Sequence, residues 1–203
     1  MIGIRKASLT LAVLAVPLCG CEDPTAWRDV LPMNWYHTTS TSMEPTFPVG
    51  ARFTAVSVNA SDLKRGDVVI VQTSRGEDYV KRVAGLPGDT IALQNGIVIL
   101  NGQPVTQTPA GRHVIEDEQI GRQEFQRLKE QFPGEADFHF ILDEKDSPGD
   151  EYAEVTLGND QYFMLGDNRD NAADSRFDEV VRGLGVVSGN RIVRKVSTGG
   201  END

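Results

Sequence analysis

Short runs of apolar residues, each bounded by turn-forming residues, recur along the chain beyond residue 50. Apolar and polar residues alternate at 52–56, whereas the runs at 67–71 and 96–100 are almost wholly apolar. Two more runs, 161–165 and 191–196, contain aromatic or β-branched residues. Alternation with a period of two is typical of half-buried strands, and short apolar runs between turns are typical of fully buried ones. We therefore expect a β-strand in each of the five runs.

The residues between these runs favour tight turns. Asn95-Gly96 and Asn101-Gly102 bracket one apolar run, and both dipeptides suit hairpin turns in which the backbone adopts positive φ. Further turn signals occur at 86–89 and 166–168. Many short strands joined by tight turns predict a coiled antiparallel β-sheet or a barrel-like core. The expected fold class is mainly β.

Residues 109–152 differ from the rest because they are rich in charge. Residues 122–130 form one plausible helix that would end at Pro133-Gly134, and a candidate strand follows at 138–142. The acidic stretch 143–150 has the composition of an exposed loop. We therefore expect a small α/β insertion with a solvated charged face.

Composition limits the classes of function. The chain has 203 residues, 39% of them hydrophobic, which is enough for one domain with a real core. Its formal charge of -10 would repel phosphate backbones, so nucleic acid is excluded as an expected partner. Both cysteines, Cys19 and Cys21, precede the folded part, which therefore has no thiol nucleophile, disulfide or cysteine-rich metal site.

The first 21 residues have the pattern of an export signal. Arg5 and Lys6 precede an apolar run at 7–18, which is shorter than the roughly 20 residues that span a bilayer. The run ends in Leu18-Cys19-Gly20-Cys21, which resembles the lipobox of bacterial lipoproteins and makes Cys21 a candidate for lipidation. An uncleaved signal anchor and simple secretion are the alternatives.

All three alternatives place the remaining chain on the outer side of the membrane, because the positive charges stay inside. We therefore divide the chain into an export signal or anchor at 1–21, a juxtamembrane segment at 22–39 and a folded domain at 40–198. The aromatic residues of the juxtamembrane segment could lie at the level of the lipid headgroups or pad the core of the domain.

Four blocks resemble, in the same order, the conserved boxes of bacterial type I signal peptidases, which are Ser–Lys peptidases. The similarity covers about 40–102 and 161–196 and leaves the 109–152 insertion without a counterpart. It implies a catalytic core of the signal peptidase type. The blocks are Ser40–Thr46, Lys64–Val69, Lys81–Asp89 and Gly166–Arg176.

By this resemblance, Ser42 is the nucleophile and Lys81 is the general base. A serine hydroxyl needs a nearby base, and a lysine amine can serve only when it is neutral. Burial lowers the pKa of a lysine from its usual value of about 10.4. The backbone N–H of Ser42 and the side chain of Ser40 match the donors that stabilise the oxyanion.

The resemblance also implies charged supports around the two catalytic segments, namely Arg82, Asp167, Asp174 and Arg176. Each of them could instead be an exposed surface charge. One position departs from the pattern, because Ala172 stands where many relatives carry a hydroxyl that orients the lysine amine. The hydrogen bond to Lys81 is then missing or is made by another group.

The sequence thus predicts a membrane-associated serine endopeptidase that removes signal peptides from exported preproteins through an acyl-enzyme. No metal or organic cofactor is implied, and the catalytic domain would lie on the extracytoplasmic side of a bacterial cytoplasmic membrane, either periplasmic or outer. Two alternatives remain. One is a self-cleaving Ser–Lys repressor-like peptidase, and the other is a catalytically impaired or non-catalytic peptide-binding lipoprotein of the same fold.

Overall fold

The computed structural model describes residues 35–117 and 121–197. The predicted export signal, the lipidation candidate Cys21 and most of the 22–39 segment lie outside the described residues. No helix within the described ranges has both the length and the apolar character needed to cross a membrane.

Fourteen strands occur in the described residues, joined by turns and five short 3-10 segments. The strands are β1 Trp35–His37, β2 Arg52–Val56, β3 Val68–Gln72, β4 Asp78–Gly85, β5 Thr90–Gln94, β6 Ile97–Leu100, β7 Gln103–Pro104, β8 Thr106–Asp117, β9 Gly121–Gln131, β10 His139–Leu142, β11 Tyr152–Thr156, β12 Gln161–Leu165, β13 Val187–Ser188 and β14 Ile192–Ser197. The 3-10 segments are Thr41–Met43, Ala60–Asp62, Arg169–Asn171, Glu179–Val181 and Gly189–Arg191.

The strands form three sheets in which neighbouring strands are antiparallel. The largest sheet has the order β1-β2-β14-β3-β4-β12-β13, the second has the order β11-β5-β6-β7 and the third has the order β10-β9-β8. Every strand predicted from the apolar runs is present, within one residue at either end. The mainly β fold class is confirmed.

Strand β3 explains the wholly apolar run that the sequence contains. It lies inside the large sheet between β14 and β4, and all four residues from Val68 to Val71 are at most 5% exposed, so both of its faces are buried. Val69 and Val71 pack into one hydrophobic cluster, while Val68 and Ile70 pack into another on the opposite face, together with Met43. A strand buried on both faces has a continuous apolar run. Full burial of each such side chain contributes about 1.5–3 kcal/mol.

The hairpin between β5 and β6 forms at the dipeptide that the sequence indicated. Asn95 and Gly96 have φ values of 50° and 75°, as a two-residue hairpin turn with both residues left-handed requires. A Cβ on Gly96 would come within 2.5 Å of a carboxylate oxygen of Asp143. Glycine is therefore needed here both for the backbone conformation and for the approach of the insertion.

The predicted helix at 122–130 is wrong, because these residues form β9. β9 is the central strand of its sheet and pairs with both β8 and β10. Its buried residues Phe125 and Leu128 are three positions apart, a spacing that suits a helix but in a strand puts them on opposite faces. Pairing on both sides outweighs the weak helix preference of its Gln, Glu, Arg and Lys residues. The described part of the insertion is therefore β, not α/β.

The insertion also buries charged groups that the sequence assigned to a solvated face. Glu130 is completely buried, and His139 and Asp143 are 7% and 1% exposed. The insertion touches the catalytic core through a parallel bridge between Leu142 and Asn168. Its inner side is thus part of the folded core, and its outer side remains charged.

Candidate active site

The candidate nucleophile lies on the 3-10 segment at 41–43. Met43 is 1% exposed and packs in one hydrophobic cluster with Val68 and Ile70 of β3, which anchors this segment. The backbone N–H of Glu44 donates to the carbonyl of Thr41 at 3.1 Å, and the N–H of Phe47 donates to the carbonyl of Met43 at 2.9 Å. Packing and backbone hydrogen bonds therefore hold Ser42 in place from both sides.

The candidate base lies on the neighbouring part of the large sheet. Lys81 belongs to β4, pairs with Val69 of β3 and is only 3% exposed. Its Nζ lies 3.1 Å from Ser42 Oγ and donates a second hydrogen bond to the carbonyl of Val80 at 2.9 Å. Two residues 39 positions apart in sequence are therefore within hydrogen-bonding distance.

Burial lowers the pKa of Lys81 from its ordinary value to about 8. The negative charges of Asp174 and Asp167 act in the opposite direction, and the positive charge of Arg176 adds to the lowering. A lysine with this pKa is neutral in half of the molecules at pH 8, whereas a solvated lysine is almost wholly charged there. The site therefore supplies an amine that can accept a proton.

Ser40 lies beside the nucleophile, with 3.1 Å between the two hydroxyl oxygens. Both serines and Lys81 line a cleft of about 340 Å³, to which His37, Tyr79 and Asn171 also contribute. Ser40 is exposed and Ser42 is half-buried, whereas Lys81 is only 3% exposed, so the serine hydroxyls are accessible at the cleft while the lysine side chain is largely shielded from solvent.

Arg82 and Asp167 form a buried ion pair next to the dyad. The guanidinium donates to both carboxylate oxygens, at 2.8 and 2.6 Å, and also to the carbonyl of Gly66 at 2.7 Å. The hydroxyl of Thr46 donates to the same carboxylate. Burial alone would raise the pKa of Asp167, but the charge and hydrogen bonds of Arg82 lower it overall. This pair connects β4, which carries Lys81, to the segment after β12.

Asp174 and Arg176 form a second buried pair. Arg176 donates to both oxygens of Asp174, each at 2.9 Å, and to the carbonyl of Arg169 at 2.7 Å. Asp174 also accepts the backbone N–H of Gly166 at 3.0 Å. All four charged residues singled out from the sequence are at most 7% exposed and ion-paired, so they are not surface charges.

The segment after β12 packs directly on the nucleophile. The N–H of Asn168 donates to the carbonyl of Ser42 at 3.2 Å, and the side chain of Asn171 donates to the hydroxyl of Thr41. A Cβ on Gly166 would come within 2.7 Å of the Ser42 carbonyl oxygen and 2.3 Å of the Ala172 Cβ. Position 166 thus admits only glycine if the two segments are to stay this close.

The family model described as "Signal peptidase, peptidase S26" matches residues 10–198. The chain belongs to the signal peptidase S26 family. By this membership it is a serine peptidase.

Named relatives agree with this family. The chain is 31% identical to signal peptidase I of Bacillus amyloliquefaciens over 153 residues, which are 74% of this chain and 66% of that protein. It is 30% identical over 161 residues to signal peptidase I T of Bacillus subtilis (strain 168), covering 78% of this chain and 68% of the relative. The chain thus spans about two thirds of the length of these relatives.

Among solved structures, a signal peptidase I from Enterococcus faecalis V583 is 19% identical and has a TM-score of 0.37. The match covers 67% of this S26 family member and 97% of that chain.

Several residues of this S26 site were not predicted from the sequence. Thr41 and Asn171 lie inside the motif blocks, but their contact joins two distant segments and has no local signal. His113 lies in the insertion, and its Nε2 is 2.9 Å from Glu44 Oε2 beside the nucleophile. His37 lines the cleft although it lies outside every motif block.

Proposed function

We propose that this protein is a membrane-associated signal peptidase that cleaves signal peptides from exported preproteins through an acyl-enzyme on Ser42. The observation that carries the proposal is the 3.1 Å contact between Ser42 Oγ and the amine of Lys81, which is buried and has a lowered pKa. The family membership and the signal peptidase names of the relatives support the same substrate class.

In the proposed reaction, the neutral amine of Lys81 takes the proton of the Ser42 hydroxyl as the oxygen attacks the carbonyl carbon of the scissile bond. The tetrahedral intermediate then collapses, the C–N bond breaks, and the ammonium of Lys81 protonates the leaving amine. The mature protein leaves with this new amino terminus. A water molecule, deprotonated by Lys81, hydrolyses the ester of Ser42 and releases the signal peptide.

The oxyanion of the intermediate would be stabilised by the backbone N–H of Ser42 and the hydroxyl of Ser40. The short distance between the two serine hydroxyls supports this role, because a donor must lie within hydrogen-bonding range of the reacting carbonyl. Removal of one such donor typically lowers kcat by about 10²–10³-fold.

The two buried ion pairs would act as positioning residues. Arg82 with Asp167 fixes the segment after β12 against β4, and Asp174 with Arg176 holds that segment in its own conformation. None of the four needs to touch the substrate for this purpose. The charges of Asp167, Asp174 and Arg176 also contribute to the pKa of Lys81 and so to the fraction of active enzyme.

We further propose that the amino-terminal export signal attaches the protein to the cytoplasmic membrane, with the catalytic domain on the extracytoplasmic side. The basic residues before the apolar run and the lipobox-like ending at Cys21 support this location. Mass analysis of the protein extracted from membranes tests it. A diacylglyceryl adduct on Cys21 would establish lipidation, and an intact Met1 would exclude it.

The catalytic proposal is tested by incubating the full chain, purified in detergent, with a preprotein and sequencing the amino terminus of the product. We expect cleavage at the end of the signal peptide by the wild type and by the control Lys129→Ala, which removes an exposed lysine outside the motif blocks. Ser42→Ala and Lys81→Ala should be inactive, and Ser40→Ala should be slower by about 10²-fold. Full activity of either dyad variant would overturn the mechanism.

A further inference from the structure

Three aspartates outside the dyad lie close together where the insertion meets the segment after β12. Asp143 and Asp150 stand at the two ends of the loop at 143–150, and Asp170 lies in the 3-10 segment at 169–171. Each residue offers one carboxylate oxygen, and these oxygens all lie within 4.8 Å of one another. Three like charges at this distance repel one another unless a positive charge or a proton lies between them.

Two of these carboxylates also have buried oxygens without a hydrogen-bond partner. Asp143 is only 1% exposed, and its Oδ2 has no partner among the described residues. The Oδ1 atom of Asp170 is likewise buried and has no partner of good hydrogen-bond geometry in the described ranges, although the Ser147 hydroxyl lies close enough to lower the pKa of Asp170. Most buried polar atoms in proteins are paired, so each unpaired one requires an explanation. An ion that binds these oxygens would supply the missing partner.

The neighbouring arginines are already paired with other carboxylates. The positive charge of Arg169 acts on Asp143 and that of Arg176 acts on Asp170. However, Arg169 donates to Glu130 from both of its terminal nitrogens, and Arg176 donates to both oxygens of Asp174. The hydrogen bonds of both guanidiniums are therefore directed mainly at carboxylates outside the group of three aspartates.

We propose that Asp143, Asp150 and Asp170 bind one calcium ion. Calcium takes hard oxygen ligands at 2.3–2.6 Å in a flexible geometry and uses carboxylates from loops. Magnesium needs shorter distances of 2.0–2.1 Å and nearly ideal octahedral geometry, and it usually binds only one or two carboxylates, so three carboxylates from a loop and a neighbouring segment suit calcium better. The site has no signal in the sequence, because the three residues are not arranged in a recognised metal-binding motif.

The ion would join the insertion to the segment after β12, which carries Asp170. The N–H of Glu144 already donates to Asp170 Oδ2 at 2.8 Å, so loop and segment are in contact at this point. The residue after Asp170 is Asn171, whose side chain reaches Thr41 beside the nucleophile. A calcium ion on Asp170 would therefore stabilise the segment that packs on the nucleophile turn.

The test is thermal unfolding of the full chain in detergent, after chelator treatment, with calcium chloride or magnesium chloride added. Saturation at 100 times the dissociation constant should raise Tm by about 5–11 °C. The shift should disappear in Asp143→Asn and Asp170→Asn. It should remain in Asp146→Asn, which makes the same charge change at an exposed residue of the same loop. Titration calorimetry should give one calcium per chain.

Several results would overturn the proposal. One is no calcium-dependent shift in the wild type up to about 10 mM, well above the Kd of weak extracellular calcium modules. Another is an equal shift with magnesium, or one that survives in both aspartate variants. Stabilisation by the asparagine variants without any calcium effect would assign a shared proton to the cluster instead. Because Ser42→Ala should still bind calcium, these outcomes are independent of whether the catalytic proposal holds.

Discussion

At the scale of single residues, the amine of Lys81 is oriented by two oxygens, Ser42 Oγ and the carbonyl of Val80. The resemblance to signal peptidases placed a hydroxyl at position 172, where this chain has alanine. The carbonyl of Val80 provides a hydrogen bond that orients the amine even though no hydroxyl is present at 172. The amine of Lys81 therefore has two hydrogen-bond partners even though position 172 is an alanine.

Replacement of Ala172 by serine tests how much the missing hydroxyl matters. Ala172 is 7% exposed and packs near Gly166, and one added oxygen is a small change at this position. We expect Ala172→Ser to cleave a preprotein as fast as the wild type or faster, because the added hydroxyl would give the amine a third acceptor beside Ser42 Oγ and the Val80 carbonyl. The kcat of the purified variant measures this, with the exposed Ala153→Ser as control. A loss of more than about tenfold in Ala172→Ser alone would contradict the expectation.

The sequence predicted the dyad and its charged supports only through the motif blocks. Nothing in the composition or spacing of Ser42 and Lys81 shows that they touch, because β4 and the 3-10 segment meet only in the folded sheet. The supports were equally ambiguous, since a charged residue in a turn can be exposed. Burial decides this question, and burial depends on all the strands together.

At the scale of elements, β9 shows why the insertion was mispredicted. Its charged side chains looked solvated, but Glu130 is buried between Arg169 and His139. Burial alone would raise the pKa of Glu130, yet the charge of Arg169 and these hydrogen bonds lower it overall. A buried ion pair with a partner outside the insertion has no local sequence signal. β9 is therefore a strand because of its tertiary contacts and not because of its local sequence preference.

Glu130→Gln should destabilise the protein by about 3–5 kcal/mol, because it leaves the buried guanidinium of Arg169 without a counter-charge. Urea unfolding measures the loss, and Glu124→Gln on the exposed part of β9 is the control, with an expected change below about 0.5 kcal/mol. In the wild type, the lowered pKa of Glu130 contributes stability that is present above about pH 4.3 and is lost as the pH falls. Equal stability of the two variants would contradict this account.

Strand β8 contacts the nucleophile turn through His113, whose Nε2 lies 2.9 Å from Glu44 Oε2. We expect His113→Ala to lower kcat by roughly tenfold with little change in KM, because the turn loses a contact that holds Ser42 in its reactive position. His113→Gln should restore part of the rate through its amide donor. Val114→Ala, at an exposed neighbour on the same strand, is the control. Unchanged kcat in His113→Ala would show that the hairpin does not position the turn.

At the scale of the whole molecule, the large sheet and the segment after β12 together set the burial and the pKa of Lys81. Lys81 is buried on β4 beside β3, and the segment after β12 brings Asp167, Asp174 and Arg176 close enough to act on its pKa. The antiparallel sheets and their hairpin turns could be predicted from alternation, apolar runs and Asn-Gly dipeptides. The relative placement of the sheets and of the segment after β12 could not be predicted, because it depends on contacts between distant parts of the chain.

The most direct test of the central claim is the pH dependence of kcat/KM for cleavage of a preprotein by the wild-type chain. This profile reports the ionisation of the free enzyme, and only the neutral form of Lys81 can accept the serine proton. Because burial lowers the pKa of Lys81 to about 8, we predict that activity rises with pH and reaches half of its maximum near pH 8. A rise centred near pH 6.5, as for a histidine, or above pH 10, as for a solvated lysine, would contradict the account.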